Sequence, residues 1–193
     1  MVRTMKERIV PGVGYVCINT DVKSLERVHG AKIIQIGERL TRGQGAGGNP
    51  EVGGQAAETD RAALKQALGR PDLVFITAGM GGGTGTGAAP IVADIARKTG
   101  ALVICVVTTP FSWEGSRRLE QAMVGGARLR ETGDNLIVIH NERLLELLSK
   151  DVSMGEALRR ADEAVMYGVL SVAELVNVPG EINVDMADVK AIM

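Results

Sequence analysis

The stretch LVFITAGMGGGTGTGAAPIVADIARK, residues 73–98, decides how this chain is read. Its first six residues, Leu73–Ala78, are almost continuously apolar, the pattern of a strand buried on both faces. Six glycines follow within Gly79–Gly87, and a helix is predicted over Ala88–Lys98, with Pro90 in its first turn and Gly100 closing it. A strand, a glycine loop and a helix N-terminus in succession aim several backbone N–H groups at one spot, which suits an anion. Thr84 and Thr86 add hydroxyls. A tight turn that lets strand and helix pack closely would need two or three glycines. Six in nine residues, with no bulky side chain after Met80, favour a phosphate.

A second glycine window lies upstream, in Gly43–Gly54, and the two windows hold twelve of the 25 glycines. Such clustering has a local cause, either positive φ or close approach of the backbone to another body. Around the windows the chain alternates. Tyr15–Asn19, Lys32–Ile36, Leu102–Thr108 and Leu136–His140 read as further strands. Helices are predicted over Glu51–Leu68, with Asn49 as N-cap and Pro50 at the first helical position, and over Gly115–Glu131, Glu142–Leu148 and Ser153–Asn177, the last expected to break near Arg160. Apolar strands separated by helices make a parallel sheet covered on both sides. The expected fold is therefore α/β: a doubly wound, mostly parallel sheet with helices on both faces.

Composition narrows the function. The chain has 193 residues, 45 % hydrophobic and 23 % charged, with only six prolines, so it is globular rather than a linker or a collagen. Five aromatic residues leave the core to aliphatic side chains. A net charge of −1 provides no global attraction to nucleic acid or anionic lipid. No apolar run approaches the roughly 20 residues of a membrane span, and the N-terminus lacks the apolar centre of a secretion signal, so a cytoplasmic protein without membrane insertion is expected. Cys17 and Cys105 are expected as small buried hydrophobes. Two histidines, His29 and His140, and two cysteines without ligand spacing offer no metal site. The chain contains no G-x-x-x-x-G-K-[ST], which disfavours a P-loop enzyme. A relaxed G-x-G-x-x-A exists at Gly83–Ala88, but strand Leu102–Thr108 runs into Thr109 and Pro110 instead of the acidic residue that grips a ribose in dinucleotide enzymes.

The run GGGTGTG at Gly81–Gly87 resembles the signature of the tubulin superfamily in its bacterial form, the FtsZ-type cell-division GTPases. The resemblance covers most of the chain in family order: INTD at Ile18–Asp21, LTRGQGAGGNPEVG at Leu40–Gly53, TAGMGGGTGTGAAP at Thr77–Pro90, TTPFSWEGSRR at Thr108–Arg118, HNERLL at His140–Leu145, RRADEAV at Arg159–Val165 and INVDMADVK at Ile182–Lys190. It implies a GTPase that binds GTP and GDP, with Mg2+ held through the nucleotide. Gly81, Gly82, Gly83, Thr84, Gly85, Thr86 and Gly87 would cradle the phosphates. Gly45, Ala46 and Gly47 would lie in a loop over the γ-phosphate. Glu114 would accept from the ribose hydroxyls, Arg118 would place a cation near the nucleotide, and Asn141 and Asp162 would read guanine. A carboxylate can accept from both N1–H and N2–H₂ of guanine, a pair that adenine does not offer.

Asn183, Asp185 and Asp188 form N-x-D-x-x-D, a spacing that also suits an N-cap with first-turn acids. By resemblance they would polarise the attacking water or hold a cation near it. At about 1.5 Å per residue, a helix over Asp162–Asn177 separates its ends by roughly 22 Å. If Asp162 touches the base, Asp185 cannot reach its own chain's γ-phosphate, and hydrolysis needs a second subunit stacked head to tail. Contacts of that kind that do not close give filaments. The resemblance thus implies a self-assembling partner, other division proteins as further partners, and a place at the mid-cell division site.

Three departures qualify it. The chain begins within what resembles the family's first helix, Met1–Val10, so the family's first strand and first glycine loop are expected to be lacking. It is expected to divide into a nucleotide-binding domain over 1–177 and a catalytic loop with the start of the next helix over 178–193, with the family's second domain expected to be absent. Leu158 stands where the family has an aromatic against guanine. Such a chain is expected to be impaired, binding GTP weakly or not at all. The alternative is a non-catalytic chain that binds or caps filaments of the FtsZ type.

Overall fold

Each apolar run becomes a strand, and each strand runs parallel to its neighbour. The computed structural model describes residues 13–147, 152–177 and 188, and all that follows concerns these. Strand β1 (Val16–Asn19) pairs with β2 (Lys32–Gln35), and β3 (Leu73–Gly79), β4 (Leu102–Thr109) and β5 (Asn135–His140) form a three-stranded sheet in that order. All three pairings are parallel. The helices are α1 (Val22–Glu26), α2 (Glu38–Thr41), α3 (Pro50–Thr59), α4 (Arg61–Leu68), α5 (Thr84–Arg97), α6 (Ser116–Thr132), α7 (Asn141–Glu146) and α8 (Met154–Asn177), with a 3-10 turn at Ser112–Glu114.

The side-chain alternation of β4 explains why the sheet is covered twice. Val103, Cys105 and Val107 enter one core, which α3, α4, α5 and α6 close with Ala56, Leu64, Val92, Ala93, Ala122 and Leu129. Leu102, Ile104 and Val106 enter the other, closed by Val165, Met166 and Leu170 of α8. Tyr15 packs into the second core and Ile18 of β1 into the first, so the two ribbons share both layers although β1 and β3 do not pair with each other. This is the expected doubly wound arrangement, with its hydrogen-bond ladder interrupted between β1 and β3. Cys105 is fully buried, and burial pushes its thiol up to about 12. Cys17 is only partly buried, short of the complete burial expected.

Three predicted helix boundaries are corrected. The predicted helix Glu51–Leu68 is two helices, because Asp60 leaves helical geometry (φ −102, ψ 20) and its carboxylate accepts the Gly37 N–H at 2.6 Å. The helix expected from Ala88 starts at Thr84, so the last four residues of the glycine window are helix. Helix α8 runs unbroken through Arg160, since Arg159 and Arg160 are flanked by Glu156 and Glu163 one turn away on either side and pair with both. The short helices α1 and α2 were not foreseen. Asp21 caps the first, accepting from the Lys23 N–H at 3.0 Å.

The two glycine windows meet. Helices α3 and α5 approach so closely that a Cβ on Gly53 would overlap the Gly83 carbonyl, and one on Gly87 would overlap the Pro50 carbonyl and the Gly54 nitrogen. A Cβ on Gly85 would lie 2.6 Å from the Gly79 carbonyl oxygen at the end of β3. No side chain can be accommodated by rotation there, because the opposing atoms are backbone. Gly126 in α6 instead faces open space. Gly87→Ala is therefore expected to cost about 3 kcal/mol in urea unfolding, whereas Gly126→Ala stabilises by about 0.5–1 kcal/mol.

Candidate functional site

The carboxyl ends of β3, β4 and β5 lie side by side, with Gly79 opposite Thr108 and Thr109 opposite His140. Ligands of open α/β sheets bind outside such ends. The loop after β3 turns at Gly81, whose φ of +95 is a left-handed value that favours glycine, and a Cβ there would lie 2.7 Å from the Arg118 carbonyl oxygen. Gly82 faces open space. Helix α5 then begins after Gly83 with no side-chain hydrogen bond at its cap, so the first-turn N–H groups of Thr84, Gly85 and Thr86 carry the dipole end of a 14-residue helix without a side-chain acceptor.

The two threonines of the loop do different work from hydroxyls aimed outward. Thr86 is 3 % exposed, and its Oγ1 accepts the Gly81 N–H at 2.8 Å, bracing the loop from inside. Thr84 Oγ1 lies 2.6 Å from Oγ1 of Thr20, a wholly buried residue just after β1, and the Thr20 carbonyl accepts the Gly45 N–H at 3.3 Å. Thr20 thus joins the two glycine windows, a role that INTD carried without revealing. Gly45 and Gly47 both have positive φ, and Gly47 faces open space. Ala46 is buried, and a Cβ on Gly83 would lie 2.7 Å from that of Ala46.

On the β4 side, Phe111 is buried against Ala157 and Ala161 of α8, and Trp113 stacks on it with ring centroids 5.1 Å apart. Glu114 accepts the Phe111 N–H at 2.9 Å and an Arg118 N–H at 2.6 Å. On the β5 side, Asn141 is 4 % exposed, and among the described residues its Oδ1 is the buried side-chain polar atom without a hydrogen-bond partner. A buried acceptor left unmade costs about 1–3 kcal/mol, so this atom is suited to a donor from outside the protein. Asp162, next to Ala161 on α8, is half-buried and engaged in an interaction of its own, and Leu158, one turn earlier, is exposed.

A chain of contacts therefore links the candidates: Ala46 to Gly83, Gly81 to Arg118, Arg118 to Glu114, and Phe111 to the α8 residues beside Leu158 and Asp162. Asn183 and Asp185 lie outside the described residues. Asp188 is helical and exposed. Among the described residues no three His, Cys, Asp or Glu side chains are grouped to hold a metal ion, and no helix is long and apolar enough to cross a membrane.

Comparison with known proteins agrees with this geometry. The family model described as Tubulin/FtsZ family, GTPase domain, matches residues 4–149. An empty FtsZ dimer from M. jannaschii superposes with a TM-score of 0.93 at 46 % identity, over 98 % of this chain and 55 % of that one. A GTPγS-bound protofilament of CetZ2 from Haloferax volcanii superposes with a TM-score of 0.76 at 26 % identity, over 91 % of this chain and 52 % of that one. The chain thus spans about half the length of the solved structures it matches.

The internal brace of the loop is open to test. Thr86→Val keeps the buried shape but leaves the Gly81 N–H without its acceptor, and is expected to lower unfolding free energy by about 1–3 kcal/mol. Thr86→Ser, which keeps the acceptor, should lose less in the same urea titration.

Proposed function

The chain belongs to the Tubulin/FtsZ family of GTPase domains, and we propose that it is a GTP-binding, GTP-hydrolysing subunit that assembles head to tail with copies of itself in cell division. The observation that carries the reading is the buried, unpartnered Oδ1 of Asn141 on the rim that also bears the glycine loop. An acceptor there suits a guanine N–H, and Asp162 on α8 would add the carboxylate that completes a guanine edge. Leu158 would present an apolar face to the base. Glu114 would accept from the ribose, and Arg118 would place a cation near the nucleotide.

The phosphates would lie on the N–H groups of Gly82, Gly83, Thr84, Gly85 and Thr86, at the positive end of α5. Gly45, Ala46 and Gly47 would cover the γ-phosphate with backbone. The donor set fits an anion of this kind. A magnesium ion would be held through phosphate oxygens; bound there it would neutralise charge on the phosphates.

Hydrolysis would fall to Asn183, Asp185 and Asp188 of the next subunit. Helix α8 supports that division of labour, because it is continuous from Met154 to Asn177. From Asp162 to Asn177 the axis rises about 22 Å, a span that supports base recognition and hydrolysis being shared between two subunits. The FtsZ dimer and the CetZ2 protofilament among the matched structures support self-association.

A second reading is a chain that binds or caps FtsZ-type filaments without turnover. It keeps the self-association that the matched dimer and protofilament support and omits turnover.

Phosphate release separates the two. The first reading expects turnover per subunit to rise with protein concentration, and Asp188→Ala to sediment with GTP while release falls about a hundredfold or more. Concentration-independent turnover would sink it. The second expects no release, and lower light scattering when the chain is mixed with an assembling FtsZ.

A further inference from the structure

Glu142 follows Asn141 at the start of α7, and the motif around it assigns it nothing. Its carboxylate crosses from the end of β5 to the turn after β4. Oε2 accepts the Ser112 backbone N–H at 2.8 Å, and Oε1 accepts the Ser112 hydroxyl at 3.0 Å. Both donors belong to the first residue of the turn Ser112–Glu114, the turn that carries Glu114.

Apolar packing anchors the start of the same turn. Phe111 is 1 % exposed and packs against Ala157, Ala161, Leu144 and Leu145. Phe111 fixes where the turn starts, and the Glu114–Arg118 pair ties its end to α6. Two hydrogen bonds from one carboxylate hold the residue after Phe111, and bonds to a charged acceptor are the stronger kind. The Thr109–His140 register keeps the roots of the turn and of α7 adjacent, so a side chain as short as Glu142 spans them.

The geometry points to Glu142 as a positioning residue: it holds the turn bearing Glu114 at a fixed distance from Asn141, so that one nucleoside can meet the ribose acceptor and the base acceptor together. It touches no part of the nucleotide itself. This inference rests on the ribose role proposed for Glu114. It makes Glu142 a determinant of the preference for a ribonucleotide over a sugar without hydroxyls.

The test is titration of the chain with GTP and with 2′,3′-dideoxy-GTP, by calorimetry or by the fluorescence of Trp113, the single tryptophan, which stands beside Glu114. The native chain should prefer GTP. Glu142→Gln should weaken GTP about five- to tenfold while leaving dideoxy-GTP within about twofold, and in a Glu114→Gln background it should add nothing, as expected of residues that act through one another. Ser112→Ala, which removes one of the two bonds, should shift GTP in the same direction by less. Equal weakening of both nucleotides, additive losses in the double variant, or an unchanged preference in Glu142→Gln would overturn the positioning role while the ribose contact stands. A native chain that binds both nucleotides alike would overturn the ribose contact, and the positioning role with it.

Discussion

The backbone-to-backbone contact between α3 and α5 is the constraint on which the site depends. At Gly53 and Gly87 the two elements touch through peptide atoms, with no room for a methyl group, and a Cβ on Gly54 would lie 3.3 Å from the Gly87 carbonyl oxygen. That contact holds the first turn of α5 under the Gly43–Gly54 window and so sets where both glycine loops end. Dispersion between many close atoms is weak per pair and large in sum, and a closely packed interface resists the small displacements that would misalign backbone donors. The glycines thus do two jobs that sequence composition cannot separate. Those inside the α3–α5 contact permit packing, while Gly47 and Gly82 remain open to solvent.

Around this contact, short polar links carry the alignment outward. Thr20 joins Thr84 to the Gly45 loop, Thr86 braces Gly81 from within, Arg118 ties α6 to Glu114, and Glu142 ties the Ser112 turn to the start of α7. The Glu142 link joins elements that follow the paired strands β4 and β5. The Thr20–Thr84 link crosses between the two ribbons, and the other two are local in sequence. The rim thus combines parallel register on one side with short polar links on the other.

Much of this was legible in advance because it is governed by local chemistry. The apolar run Leu102–Thr108 reads as a strand buried on both faces and is one, whereas Leu73–Ala78 forms the expected strand but buries one face fully and the other in part. Asn49 with Pro50 announced the start of α3. The boundaries that went wrong were decided by distant partners. Asp60 ends α3 because Gly37, far away in sequence, offers an N–H. Gly85 and Gly87 are helical because α3 and the end of β3 press on them, whereas isolated glycines disfavour helix. Thr86 read as a phosphate hydroxyl until its burial placed it inside the loop.

By itself, the sequence determined the alternation of strand and helix, the parallel sheet with two covered faces, the position of a glycine loop between β3 and a helix, and the motifs that mark the family. These follow from hydrophobic period, capping residues and the conformational range of glycine, all properties of neighbouring residues. The tertiary structure decided which glycines pack and which face open space, that Thr20 and Glu142 bind the rim together, and that the Asn141 acceptor is buried and unmet. Those outcomes depend on what each group meets across space, and no local pattern encodes the identity of a partner that the fold alone brings near.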